Sequence, residues 1–121
     1  MNELKSTSTL IPSARSEDDA LVVSVTGEID LNNSPELRAA LFGLLDKSPS
    51  KRVILNLESV PYMDSSAIAV LVELLRRMGK GPNKVFLTNL QPRVRGLLEI
   101  ARLNTIFVVT ENEVEALAKT S

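Results

Sequence analysis

One feature restricts the fold of this chain more than any other: short apolar runs, too brief for helices, alternate with segments whose apolar residues recur at helical spacing. Leu21-Val22-Val23-Ser24-Val25-Thr26 is rich in β-branched residues and stops at Gly27, which reads as a strand. Val53-Ile54-Leu55-Asn56-Leu57, Val85-Phe86-Leu87 and Ile106-Phe107-Val108-Val109 are near-continuous apolar runs, the pattern of strands buried on both faces of a parallel sheet. Between them, Leu37, Ala40, Leu41, Leu44 and Leu45 mark one face of a helix that starts at Ser34-Pro35, with the Ser34 hydroxyl as its cap. A second helix is predicted from Asp64-Ser65-Ser66 to Met78, stopped by Gly79. A third opens at Pro92 with Val94, Leu97, Leu98 and Ala101 turned inward. A fourth follows Thr110-Glu111-Asn112-Glu113, which has capping-box spacing, and turns Val114 and Leu117 inward. Alternation of this kind demands right-handed crossovers, so the expected fold is α/β, with a mostly parallel sheet of four to five strands and about four helices.

A chain of 121 residues supports one domain. Residues 1–16 read as a Ser/Thr-rich tail that adds one weak edge strand around Thr7–Ile11, limited by Pro12, which has no N–H for a ladder. Ser16-Glu17-Asp18-Asp19 reads as a polar turn, and the domain is expected over residues 17–119. No stretch approaches 18 apolar residues, and the N-terminus has no apolar signal segment. The expected location is therefore the cytoplasm, with no membrane partner.

Chemistry is limited by what is missing. Histidine and cysteine are both absent, which removes the commonest general base, every Ser-His-Asp or Cys-His arrangement, and any disulfide or Cys/His zinc site. No dinucleotide fingerprint or phosphate loop is present, because Gly79-Lys80-Gly81-Pro82 follows a helix rather than a strand. A Ser–Lys nucleophile pair stays open, with Lys51, Lys80 or Lys84 beside Ser65. The net charge of −1 gives no field that draws in nucleic acid. Residues 65–110 depart from that balance: Arg76, Arg77, Lys80, Lys84, Arg93, Arg95 and Arg102 outnumber Glu73 and Glu99 by five. They form either solvated helix faces or a weak patch for an acidic partner or a phosphate.

The segment Tyr62-Met63-Asp64-Ser65-Ser66-Ala67-Ile68 joins a buried strand to a helix. Either Asp64 or Ser65 caps that helix. A helix N-terminus offers unpaired N–H groups and the positive end of the dipole, so a phosphate on Ser65 fits there without disturbing the fold. In the helix itself, Ile68, Leu71, Val72, Leu75 and Met78 form the expected inner face. Ala67, Val70 and Leu74 form a second stripe, rotated by about 100°. A neighbouring helix or a partner protein covers it.

Val25-Thr26-Gly27-Glu28-Ile29-Asp30, Val53-Ile54-Leu55-Asn56-Leu57 and Tyr62-Met63-Asp64-Ser65-Ser66, at their spacing, resemble the STAS domain of bacterial anti-sigma-factor antagonists, over roughly residues 17–119. The resemblance implies a phosphoacceptor at Ser65, the first serine after the aspartate. It also implies a partner kinase of the histidine-kinase-like ATPase fold, which is itself an anti-sigma factor, and a phosphatase that resets the serine. The unphosphorylated antagonist binds the kinase and frees the sigma factor, and the phosphorylated form lets go. ATP belongs to the kinase, so no cofactor is expected of this chain, and no enzymatic activity. Asp30 and Asp64 match the family's acidic positions, and with Ser66, Ala67, Val70 and Leu74 they are the expected partner-binding residues. The family usually carries glycine where this chain has Ala67. Alanine favours a helix by about 1 kcal/mol over glycine, and its Cβ stands where a kinase backbone would approach. The alternatives are a constitutive STAS interaction subunit of another signalling or lipid-transport complex, with Ser65 only a cap, and a small hydrolase or nucleotide-binding protein.

Overall fold

In the computed structural model, which describes residues 2–119, the apolar runs pair in the order in which the chain makes them. Six strands, β1 (Asn2–Leu4), β2 (Ser13–Glu17), β3 (Ala20–Thr26), β4 (Arg52–Ser59), β5 (Val85–Thr88) and β6 (Val108–Thr110), form one sheet in sequential order. The first three are antiparallel neighbours, and β3 to β6 run parallel. The crossovers are α1 (Ser34–Lys47), α2 (Ser65–Met78) and α3 (Pro92–Ile100), the last followed by a short 3-10 turn (Leu103–Thr105). A sheet that always steps in one direction, through right-handed crossovers, sends every crossover helix to the same face. The other face is left to the last helix, α4 (Glu113–Ala118).

The register shows why the centres of β3, β4 and β5 are apolar on both faces. Leu21, Val53 and Val85 align across the sheet, as do Val23, Leu55 and Leu87. These point to the helix-covered face, where Leu37, Leu41, Leu44, Ala67, Leu71, Leu74, Val94 and Leu98 complete the main core. The intervening row, Val22, Ile54 and Phe86, points to the opposite face and packs against Ala116 of α4. Both faces are dry at the centre of the sheet. Alternating polarity would have left one of them unable to pack.

The N-terminal segment departs from the sequence reading. Thr7–Ile11 is a turn region, and the strands lie on either side of it, at Asn2–Leu4 and Ser13–Glu17. Ser13–Glu17 pairs with β3 through a tight Asp18-Asp19 hairpin, with Asp18 in the left-handed region at φ 55°. Side-chain alternation is what makes this segment a strand: Ala14 lies in the core, while Arg15 points to the other face beside Glu113. The sheet therefore has six strands rather than four to five. Helix starts also shift. Asn33, not Ser34, precedes α1, and Ser34 is buried. Asn112 rather than Thr110 caps α4, through Oδ1 accepting from the Glu115 N–H at 2.8 Å. Thr110 belongs to β6, where its side chain is buried. In α4, Ala116 is buried and Leu117 packs half-buried against the same cluster, as expected of Leu117, whereas Val114 lies outside; Ala101 lies exposed beyond α3.

Candidate functional site

The segments after β3 and β4, distant in sequence, form one loop pair at the same end of the sheet. Gly27, at φ 90°, ends β3 and donates its N–H to the Ser59 carbonyl at 2.9 Å. The chain then runs beside the β4 exit. Ile29 N–H donates to the Tyr62 carbonyl (3.1 Å), Asp64 N–H donates to the Ile29 carbonyl (3.0 Å), and Ile29 pairs with Met63 as a parallel bridge. Ile29 and Met63 are both buried, so the two loops are seated by apolar anchors as well as by backbone bonds. This is the physical link between the Gly-Glu-Ile-Asp turn and the Asp-Ser-Ser turn.

Asp64 is the N-cap of α2. Its Oδ1 accepts from the Ser66 N–H at 2.9 Å and from the Ser66 hydroxyl at 2.5 Å. Its Oδ2 accepts from the Leu31 N–H at 3.1 Å, which ties the first loop to the helix start. The Ser66 hydroxyl holds the Asp64 carboxyl below the usual carboxylate range; partial desolvation opposes this, and the N–H groups of Ser66, Ala67 and Leu31 add to it. Capping thus occupies Asp64 and Ser66. Ser65, at the first helical position, is exposed, and its hydroxyl takes no part in the hydrogen bonds of the loop. Asp30 stands on the same rim. Its N–H donates to Asn33 Oδ1 (2.8 Å), and its own Oδ1 accepts from the Asn32 N–H (2.9 Å).

Two features of the rim escaped the sequence reading. Leu31 is 73% exposed beside the Asp64 carboxylate, an apolar side chain set among Glu28, Asp30 and Asp64. Its only signal in the sequence was a lone leucine in a polar turn, outside any strand or helix period. Arg93, at the start of α3, lies over the Tyr62 ring at 4.7 Å and brings a cation to the edge of the site.

The inner face of α2 is as expected at Leu71 and otherwise falls on the other stripe. Ala67, Val70, Leu71 and Leu74 are buried, whereas Ile68, Val72, Leu75 and Met78 are half-buried. Ala67, Val70 and Leu74 therefore belong to the core and offer no surface to a partner. The Ala67 side chain sits inside, so the concern over its Cβ and an approaching kinase backbone falls away. Both stripes are apolar and about 100° apart, and which one faces the sheet depends on how α1 packs alongside. On the α1 side, Arg38 forms a two-pronged ion pair with Glu73, Arg77 pairs with Asp46, and both guanidiniums flank the Phe42 ring at 4.6 and 5.2 Å. Lys80 and Lys84 follow the far end of α2, about 21 Å of helix from Ser65. Lys51 precedes β4 at that same far end, so none of the three lysines left open as a nucleophile partner stands beside Ser65.

With this geometry in place, residues 12–116 match the family model of the STAS domain. The chain is also 30% identical over 100 residues to the anti-sigma-B factor antagonist of Staphylococcus aureus, covering 82% of this chain and 92% of that one. This chain belongs to the STAS-domain family of anti-sigma-factor antagonists. Among solved structures, this STAS domain is similar to an anti-sigma factor antagonist from Mycobacterium paratuberculosis, with a TM-score of 0.76, 24% identity, and coverage of 86% of this chain and 87% of that one. It is also similar to the Bacillus cell fate determinant SpoIIAA in its phosphorylated form, with a TM-score of 0.64, 21% identity, and coverage of 86% and 94%. At such identities the structural likeness carries the fold. Among the described residues of this STAS domain, no group of acidic side chains is arranged to hold a metal ion, and no helix is long and apolar enough to cross a membrane.

Proposed function

We propose that this chain is a phosphorylation-switched antagonist. Unphosphorylated, it docks its Ser65 rim on a serine kinase of the histidine-kinase-like ATPase fold that is also an anti-sigma factor, and so frees the sigma factor. Phosphorylation of Ser65 ends the contact, and a phosphatase restores it. The chain itself is not an enzyme in this scheme, and the nucleotide belongs to the kinase.

The observation that carries this reading is the division of labour between neighbours: Asp64 caps α2, while Ser65 is exposed with its hydroxyl unengaged. A serine needed for the cap would lose its structural role on modification. Ser65 has no such role, and the positive end of the α2 dipole accommodates the new charge. The rim around it already carries Glu28, Asp30 and Asp64. A phosphate adds roughly −1.5 to −2 charges there, enough to deepen the negative charge and change the hydration of a docking face without altering the core beneath. The same observation weighs against a constitutive subunit in which Ser65 serves only as a cap, because Asp64 already fills that place.

The test uses the full chain with ATP and a cognate kinase, read by intact mass. One phosphate is expected on the unmodified chain and on Ser66→Ala, and none on Ser65→Ala. Ser65→Asp should weaken kinase binding by about 2–4 kcal/mol, the range for a residue at a desolvated interface centre. A Ser65→Asp protein that binds as tightly as the unmodified one would falsify the switch.

A further inference from the structure

The two edges of the sheet are built differently. At one edge, β1 is Asn2-Glu3-Leu4 followed by Lys5, and charges of this kind keep an open edge from pairing with other chains. At the other, β6 is Val108-Val109-Thr110, with Ile106 and Phe107 leading into it. This strand carries neither charge nor proline, and among the described residues it pairs with β5 alone. Its outer row of N–H and C=O groups is a template for another strand. Val109 aligns with Leu87, which faces the crossover helices, so Val109 faces them too. There it lines a groove of about 110 Å³ together with Leu90, with Arg95, Leu98 and Glu99 of α3, and with Asn104. Arg95 and Glu99 stand four residues apart on this flank of α3, and neither forms an ion pair among the described residues.

We propose that the β6 edge and the adjoining flank of α3 form a two-fold interface, independent of the Ser65 switch, whose occupant is a second copy of this chain. An axis beside Val109 lays β6 antiparallel to β6 of the second copy. The two Val109 side chains then meet across the axis, on the same face of a continuous sheet. The same rotation reverses α3, which sets Arg95 opposite Glu99 of the second copy and Glu99 opposite its Arg95. Spacing agrees with this arrangement. A crossover helix lies over the gap between the strands it joins, so the two α3 helices stand two strand spacings apart, or about 10 Å. Helices pack at about 8–10 Å, so strand pairing and helix packing are met together. Charge decides the occupant. An unrelated strand on this edge fills the groove but leaves Arg95 and Glu99 to water, whereas opposite charges unpaired in one chain pair twice about a two-fold axis. Ser65 starts α2, the crossover between β4 and β5, so the rim of each copy stays open.

The test is sedimentation velocity of the full chain over a concentration series. A reversible dimer is expected, with a Kd below about 1 mM. Arg95→Glu and Glu99→Arg should each weaken it at least about tenfold, because each sets like charges across the axis. Both should keep the thermal midpoint of the unmodified chain, since neither side chain has an ion pair of its own to lose. A mixture of the two variants should form a heterodimer about as tight as the unmodified dimer, and the charge-swapped double variant should dimerise again. Ser65→Asp should dimerise as the unmodified chain does, which keeps this result separate from the kinase test. A chain that stays monomeric up to about 1 mM would overturn the proposal, whether or not β6 accepts a strand from another protein. So would a dimer that both charge reversals leave unchanged, or one that mixing the two variants does not restore.

Discussion

At the scale of single residues, Asp64 has three bonds to lose when it is protonated: from the Ser66 hydroxyl, the Ser66 N–H and the Leu31 N–H. Its folded carboxyl is held below the usual range, so its contribution to stability is fully present above the unfolded value, ~3.9. That contribution is lost as pH falls through the lower folded value. Asp64→Asn keeps a capping oxygen but loses the charge. It should be less stable than the unmodified chain at neutral pH, and the difference should shrink as pH drops below about 4 in urea titrations. A gap that persisted unchanged at low pH would mean the carboxylate charge does not matter. Leu31 calls for a different measurement. It is 73% exposed and supports no core, so Leu31→Ser should leave the unfolding midpoint unchanged. If the rim is the docking face, the same change should weaken kinase binding by about 1–2 kcal/mol, the value of one well-buried apolar contact.

At the scale of elements, α4 shows how a six-residue helix, too short to hold itself, is kept in place. At its start, Glu113 accepts from Arg15 (3.0 Å) and from the Asn56 side-chain amide (2.8 Å), joining β2, β4 and α4. At its end, the Arg52 guanidinium donates to the carbonyls of Ala116 (2.9 Å), Leu117 (3.2 Å) and Lys119, which are the acceptors a helix C-terminus leaves open. Arg52 is 3% exposed, paired with Asp19 at 2.6 Å and stacked over Phe86 at 5.6 Å. Arg52→Met keeps the bulk and strips the donors, removing the bonds to the α4 carbonyls and leaving Asp19 without its partner. It should destabilise the chain by about 2–4 kcal/mol, and hydrogen exchange should show α4 losing protection before α1 or α2. Equal protection across all helices would show that packing of Ala116 alone holds α4.

At the scale of the molecule, a chain without histidine has no side chain whose ordinary pKa lies between pH 5 and 8. Stability measured by urea unfolding should therefore be flat from about pH 6 to pH 8. The Ser65-phosphorylated chain should differ, because a phosphoserine takes its second charge near about pH 6. The apolar runs of β3, β4 and β5 and the breaks at Gly27 and Gly79 were legible as a parallel α/β sheet because burial on both faces and chain reversal are written locally. The cap at Asp64-Ser65 was legible down to a choice of two residues for the same reason. The first two strands were not, since Asn2–Leu4 and Ser13–Glu17 are largely polar and become strands only by adding to an edge already formed. Nor was the face of α2: Ala67, Val70 and Leu74 and the competing stripe of Ile68, Val72 and Leu75 are equally apolar, and only packing between α1 and the sheet chose between them. Local pattern determined which segments would be strand or helix and where the serine turn would fall. Contacts between residues far apart in the chain, such as Arg52 with α4 and Leu31 with Asp64, decided which surfaces remain open, because burial is a property of the assembled layers and not of any one segment.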